Sequence, residues 1–567
     1  MGTAMSSTIK DMMVESESSS DSDSYHSTDE AELESAHDTP EDLLALCASN
    51  LPEDIRVRGD PPLCRFCTKL LRNRDAQQDM QGSERLRASA GLGCYVCSLL
   101  FNAEWYLTDP GEGKKRSSVP PQIKLNDTSI PISIINYRGT GFQEGRIYIN
   151  FSCLSQEEAD LETLTFSLRL LLLKEQGTVK PHRALINAYM NPEVDDMKPC
   201  ELPATSSSRS VGLQAMLWIE ECQSQHKCSR VLTSSWKPTR LIFVGNPDEN
   251  IQSHLCLSAT IPEQKPYMTL SHSWGLANIF RLLSTNVEDV MKELPVSQLS
   301  RVFQDAINLT RQLGIEYIWI DSLCIIQDSS EDWATESQLM DRVYQHSWCS
   351  IAATGFRDGL KSFYVERDPK IIQPRKLRVK LKSDKPTKTG SKHVRGVYYF
   401  VENIWEAYIT NAPLNQRAWV LQERLLSPRI LHMGCNQVYW ECAQLEACET
   451  FPNGLPKSLE CGYKSGAWAL NSEGQFPRDD LDEVCPRDLE KELYDLWYKT
   501  VVPFYNVANL TRYEDKLVAI SGVAKKMQGL IEDKYVAGLW EKDLLHQLLW
   551  IMHKATLESL NVPLKRK

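Results

Sequence analysis

The chain has 567 residues, 42% hydrophobic and 24% charged, the balance of a soluble globular protein of roughly two to four domains. No apolar run reaches the roughly 18 residues of a membrane helix, and the best stretch, Phe166 to Leu173, is short and broken by Arg169. Of the net charge of −12, residues 1–42 alone carry −11, from 12 acids and one Lys, so the rest of the chain is close to neutral.

Residues 1–45 read as a disordered, acidic, Ser-rich tail, because they hold too few apolar side chains to offset chain entropy. The Ser-Asp alternation from Ser20 to Ser24 suits an acid-directed kinase. Met1-Gly2 with Ser6 fits the myristoylation pattern, although one acyl chain beside an acidic tail anchors poorly. Lys10 is followed by acidic and Ser-rich sequence rather than an apolar core. No signal peptide is read there, and an intracellular, cytoplasmic protein is expected. Its 17 cysteines should be largely reduced, and an odd count argues against a closed disulfide framework.

Residues 46–239 mix helical and strand-like stretches, an α+β pattern. Cys64-x-x-Cys67 and Cys94-x-x-Cys97 have knuckle spacing, in which both thiolates of a pair can face one ion. A structural zinc held by all four is one reading; four buried free cysteines is the other. Ile132–Tyr137 and Arg146–Phe151 read as two strands joined by Gly139, Gly141 and Gly145, not as a dinucleotide loop, since a strand follows the glycines. Cys222, His226 and Cys228 offer three ligands at irregular spacing and read more readily as a helix end with buried cysteines.

From residue 240 the pattern changes to short apolar runs alternating with amphipathic stretches. Arg240–Val244, Tyr267–Ser271, Tyr317–Ile320 and Ser350–Ala353 read as buried strands. Gln298–Leu313 reads as a helix with Leu299, Val302, Phe303, Ala306 and Leu313 on one face. Asp332–Ser347 reads as a second helix, with Ser329 and Asp332 spaced as a capping box. Strand, helix, strand, helix, strand implies an α/β fold with a central parallel sheet. Lys370–Arg395 is rich in Lys and Arg, but Pro386 and Gly390 lie between apolar runs at 377–381 and 397–401, so a solvated hairpin fits better than a nucleic-acid site. Residues 431–567 read as mainly helical, with Leu544, Leu545, Leu548 and Trp550 on a packed helix.

In an open parallel sheet, ligands bind beyond the carboxyl ends of the strands. Tyr267–Ser271 runs out into His272, Trp274 and Gly275, and Tyr317–Ile320 into Asp321 and Cys324. One crevice is expected to gather them. The plainer reading makes Trp274 core and Asp321 a turn cap. Glu336 falls within the apolar stripe of Trp333, Met340, Val343 and Tyr344, where a carboxylate is costly unless it is paired or functional. It either faces the crevice with Asp321 or closes a structural salt bridge with Arg417 or Arg424. The chain contains no P-loop, G-x-S-x-G or H-E-x-x-H motif.

Three segments resemble the heterokaryon-incompatibility (HET) domain of filamentous fungi. They are Y-M-T-L-S-H-S-W-G at 267–275, Y-I-W-I-D-S-L-C-I-I-Q-D at 317–328, and R-A-W-V-L-Q-E-R-L-L-S-P-R at 417–429. The resemblance covers 267–423 and places a HET domain within 240–430. It implies non-self recognition leading to programmed cell death, protein partners or self-association through this domain, and a distant kinship with TIR domains, some of which cleave NAD. The positions that match are Trp274, Gly275, Asp321, Cys324, Gln327, Glu336, Trp419, Gln422 and Glu423. His272 stands where the family often has Tyr. Two classes of function follow from the resemblance: a death effector acting as an enzyme on a nucleotide such as NAD, or a non-enzymatic module acting by self-association. If Asp321 and Glu336 share a solvent-reaching pocket, the first gains; if both are sealed in salt bridges, the second does.

Overall fold

In a computed structural model, the described residues run, with internal gaps, from 57 to 174, from 202 to 466 and from 486 to 547. The acidic tail and the positions Leu548 and Trp550 lie outside them. Strand β1 (Asp79–Gln81) precedes two short helices, α1 (Ser83–Gly91) and α2 (Tyr95–Asn102). The expected strand pair forms as β2 (Ile132–Gln143) and β3 (Arg146–Ser155), antiparallel to each other. Gly139 and Gly141 lie inside β2 rather than in its turn, and the register shifts between Tyr137 and Gly139, as glycines in a strand commonly allow. Strand β4 (Thr163–Lys174) pairs with β3. Helix α3 (Ser208–Ser224) starts at Ser207, whose hydroxyl accepts from the backbone N–H of Ser210 in a reciprocal cap.

The second half of the fold begins with β5 (Arg240–Phe243) and β6 (His254–Leu257), an antiparallel pair. Then come β7 (Met268–Ser271), α4 (Arg301–Gln312), β8 (Tyr317–Ile320) and the one-turn helix α5 (Asp321–Cys324). Helices α6 (Ser330–Ser337) and α7 (Met340–Gln345) lead to β9 (Cys349–Ala352). Strands β7, β8 and β9 are parallel, as the alternation with helices requires, whereas β5 runs antiparallel to β8. The five expected apolar positions of α4 and its flanks are all buried. The single helix expected over 332–347 is instead two, interrupted at Gln338 and Leu339. Ser329 does cap α6, accepting from the Asp332 N–H at 3.2 Å. The Asp332 carboxylate does not return the bond; it accepts from Ile326 N at 2.7 Å and from Arg240.

The basic segment forms the expected hairpin, β10 (Arg375–Lys382) with β11 (His393–Glu402). Strand β11 then pairs with β4, giving a six-stranded antiparallel sheet in the order β10-β11-β4-β3-β2-β1. An excursion from within residues 240–430 thus completes a sheet begun far upstream. Helix α8 (Ala418–Leu426) is followed by β12 (Arg429–Met433), β13 (Val438–Cys442) and β14 (Glu446–Cys448). The eight-stranded sheet reads β6-β5-β8-β7-β9-β12-β13-β14. It is parallel across β8-β7-β9-β12, antiparallel at both edges, and runs past residue 430. Helices α9 (Pro486–Leu496) and α10 (Val518–Ile531) bury Leu493, Val523 and Met527 against Ala418, Leu421 and Leu425 of α8. Among the described residues no helix is long and apolar enough to cross a membrane.

The chain leaves β7 toward β8 on one side and leaves β9 toward β12 on the other. The strand order therefore reverses between β7 and β9. In such sheets the crevice beyond the carboxyl ends at this reversal is the ligand-binding position.

Candidate functional site

Three separate segments meet at that reversal. Strand β7 delivers Ser271, His272 and Trp274; neighbouring β8, with Leu270 level with Ile320, delivers Asp321. The indole Nε1 of Trp274 donates to Asp321 Oδ2 at 2.9 Å. The other carboxylate oxygen accepts from Ser322 N at 2.6 Å, capping α5 from within. Gly275 makes the tight exit possible. Its φ is +60°, and a Cβ there would lie 2.7 Å from the Cβ of Asp358, so any other residue is both strained and obstructed.

Helix α8 closes the crevice from the far side. Arg417, just before it, donates to the carbonyl of His272. One turn and a half along, Glu423 accepts from Ser271 Oγ at 2.5 Å, and Tyr344 of α7 hydrogen-bonds the same carboxyl. Burial raises the pKa of Glu423 above the usual carboxylate range, and Ser271 and Arg417 only partly oppose this. His272 is buried, and burial depresses its pKa, so it is a neutral imidazole at pH 7. Its Nδ1 lies 3.6 Å from Asp321 Oδ1, too far for a hydrogen bond, and its ring sits edge-on to Phe303. Asp321 keeps a quarter of its side chain exposed, at 26%. The carboxyl end of the sheet thus holds a partly exposed carboxylate, Asp321, near a buried one, Glu423, whose pKa is raised, a combination suited to acid–base or ribose-binding work.

The remaining expected site residues fall elsewhere. Glu336 is buried, as the helical stripe requires, but its partner is neither Arg417 nor Arg424. Arg240 Nη2 lies 3.6 Å from it while making 2.5 and 2.7 Å bonds to Asp332 and donating through Nε to Cys324 O. This places Glu336 beside the start of β5, where Thr239 also hydrogen-bonds it, and no described contact joins it to Asp321 or Glu423. Cys324 is buried, and desolvation pushes its thiol well above the ordinary value, the opposite of an activated nucleophile. Gln327 ties its loop to the carbonyls of Asp321 and Ile325. Trp419 packs with the C-terminal helices, and Gln422 faces Gly522 of α10. Ser271, Tyr344 and Arg417 join the cluster although sequence reasoning did not assign them to it; Ser271 and Arg417 stand inside the quoted motifs, and Tyr344 lies on the stripe of Glu336.

Residues 267–423 match the family model described as heterokaryon incompatibility protein (HET). The chain carries a HET domain. Its boundaries enclose β7, the crevice and α8 through Glu423, so the contacts described above lie inside the matched segment. No curated protein and no solved structure matches the chain.

Two sulfur-rich clusters lie outside the HET segment. Cys64, Cys67, Cys94 and Cys97 are all buried, with their Sγ atoms within 4.8 Å of one another. Cys97 Sγ is 3.8 Å from Cys64 Sγ and 3.5 Å from Cys67 Sγ. These separations are far longer than a disulfide and close to the roughly 3.8 Å edge of a tetrahedron built with zinc–sulfur bonds. Backbone N–H groups of Cys64 and Cys67 point at Cys94 and Cys64 sulfurs, as they do toward thiolates. The donor set fits a structural zinc ion. In the other cluster, Cys442 of β13 joins Cys222, His226 and Cys228, a fourth member that the local spacing could not reveal.

Proposed function

We propose that this chain is an effector of heterokaryon-incompatibility type, in which recognition of a non-self partner is converted by the HET domain into programmed cell death. The observation that carries this reading is the convergence of three motif segments, at 267–275, 317–328 and 417–423, on one crevice at the sheet's reversal point. Trp274 with Asp321, Ser271 with Glu423 and Arg417 with the His272 carbonyl join them directly. A scaffold needing these motifs only for packing has no reason to concentrate their polar groups at the ligand-binding end of the sheet.

Within that reading, Asp321 and Glu423 are the working pair, and Glu336 is a structural group held by Arg240. The buried Glu423, its pKa raised, beside a partly exposed Asp321 favours chemistry on a nucleotide such as NAD, in the manner of TIR domains, over self-association alone. Asp321 would hold or orient a hydroxyl of the bound nucleotide, and Glu423 would hold a proton in the water-poor interior of the crevice. A zinc ion at Cys64, Cys67, Cys94 and Cys97 would hold the upstream region together.

Controlled expression of the full chain, scored for cell death and cellular NAD, tests this. Wild type should kill with loss of NAD, and Asp321→Asn should do neither while retaining its circular dichroism spectrum. Killing without NAD loss, abolished by Asp321→Asn, leaves the effector reading and removes the nucleotide. Killing undiminished by Asp321→Asn removes the crevice from the mechanism.

A further inference from the structure

We propose that Cys222, His226, Cys228 and Cys442 form a second structural zinc site, which pins helix α3 to the sheet strand β13. The ligand atoms of the four side chains lie within 4.8 Å of one another. His226 Nδ1 and Cys442 Sγ are 3.4 Å apart, against roughly 3.5 Å for a tetrahedral zinc edge between nitrogen and sulfur. The three cysteines are buried and His226 is half-buried, which leaves a route for the ion from solvent.

The local fold explains why the four meet. Cys222 occupies the last turn of α3, and His226 and Cys228 follow in the turn that ends it. Helix α3 is held against β13 by Trp218, which stacks on Trp440 at 6.1 Å and donates from Nε1 to Pro452 O at 2.7 Å. Cys442, the last residue of β13, lies 216 residues beyond His226 in the chain. Packing of α3 on the sheet therefore brings two distant segments to one point and leaves a soft, tetrahedral donor set there.

Charge supplies an independent argument. Arg429 is fully buried, and among the described residues it has no carboxylate partner. Its Nε donates to Cys222 Sγ at 3.2 Å, its Nη1 to Trp348 O, and its Nη2 has no hydrogen-bond partner. Lys464, also fully buried, donates to Arg424 O and has the Glu441 carboxylate as its main counter-charge, so the cation here without one is Arg429. Buried cations require a nearby negative charge. Neutral thiols provide none. Three thiolates and a neutral imidazole around a dication carry a net charge of about −1, placed directly against the Arg429 guanidinium. Binding releases the three thiol protons to solvent. The N–H···S bond from Arg429 then supports the ligating sulfur from outside the coordination shell.

Zinc content and zinc-edge X-ray absorption on the full-length protein test this together. Wild type should hold about two zinc ions with an average near 3.5 sulfurs and half an imidazole nitrogen each. Cys64→Ser/Cys67→Ser should keep one, with three sulfurs and one nitrogen, and Cys442→Ser should keep one with sulfur only. Should Cys442→Ser fail to fold, His226→Cys preserves four ligands and should retain both ions in all-sulfur shells. A single wild-type zinc with three sulfurs and one nitrogen supports this site and removes the four-cysteine one. Zinc with sulfur ligands only in wild type, or complete loss of zinc in Cys64→Ser/Cys67→Ser, overturns the proposal.

Discussion

Replacing Arg240 by Met probes how the HET domain tolerates a carboxylate in its interior. Arg240 has 10% of its side chain exposed and Glu336 only 3%, at a separation of 3.6 Å. At an effective dielectric of about 20, that pair attracts by about 4–5 kcal/mol before desolvation is subtracted. Removing the cation leaves the buried Glu336 with only its Thr239 hydrogen bond and no counter-charge, and takes a 2.7 Å bond from Cys324 O. Such a loss costs about 3–5 kcal/mol. Asp332 loses the closer contact, at 2.5 Å, but keeps the Ile326 N–H and more solvent, whereas Glu336 is the more deeply buried of the two. Adding Glu336→Gln removes the stranded charge and should restore about 1–3 kcal/mol, the coupling expected of groups in contact. The penalty should also depend on pH. Burial already raises the Glu336 pKa above 4.5, and loss of Arg240 raises it further. A raised carboxyl contributes stability that is present below its unfolded value and lost as pH rises through the folded one. The Arg240→Met deficit should therefore be larger at pH 8 than at pH 5. Urea unfolding of the two single variants and the double, at both pH values, gives all the terms. Additive losses in the double variant, or a deficit that does not change with pH, would show that Arg240 does not neutralise Glu336.

Other expectations follow from particular contacts. Gly522→Ala should cost about 1–3 kcal/mol, because its Cβ would lie 2.6 Å from both Asp341 Cβ and Gln422 Oε1; an unchanged melting temperature would show that α8 and α10 pack more loosely than described. His432, fully buried between Thr354 and Glu441, has its pKa lowered by burial to about 4 from 6.5. Its folded pKa lies below its unfolded one, so stability is full above pH 6.5 and falls as pH drops toward 4, by up to about 3 kcal/mol, and His432→Gln should flatten that slope in acid unfolding curves. Chelation of zinc should expose the amides around Cys94–Cys97 to hydrogen exchange, and protection unaffected by a chelator would argue for four free thiols.

The strands were legible because continuous apolar runs such as Tyr317–Ile320 admit few other readings when flanked by helical patterns. The stripe of α6 and α7 placed Glu336 inside correctly, yet gave no access to its partner. Arg240 lies on an antiparallel strand far upstream, and local periodicity carries no information about such pairings. The same blindness hid Cys442, without which Cys222, His226 and Cys228 make only an incomplete ligand set. The basic hairpin of β10 and β11 was readable from its own residues, but its docking on β4 depends on residues 163–174. The break at Gln338–Leu339 has no Pro or Gly to announce it. In the crevice, Asp321 and Trp274 followed from strand ends. Ser271 and Glu423 became a pair only once α8 was folded across the carboxyl end of the sheet.

The most direct measurement compares two isosteric carboxyl-to-amide changes in the full chain, Glu423→Gln and Glu336→Gln, for cell death under matched expression, with thermal melts confirming that both fold. The crevice account predicts that Glu423→Gln abolishes killing while Glu336→Gln kills as wild type does. Killing retained by Glu423→Gln and lost in a folded Glu336→Gln would contradict it.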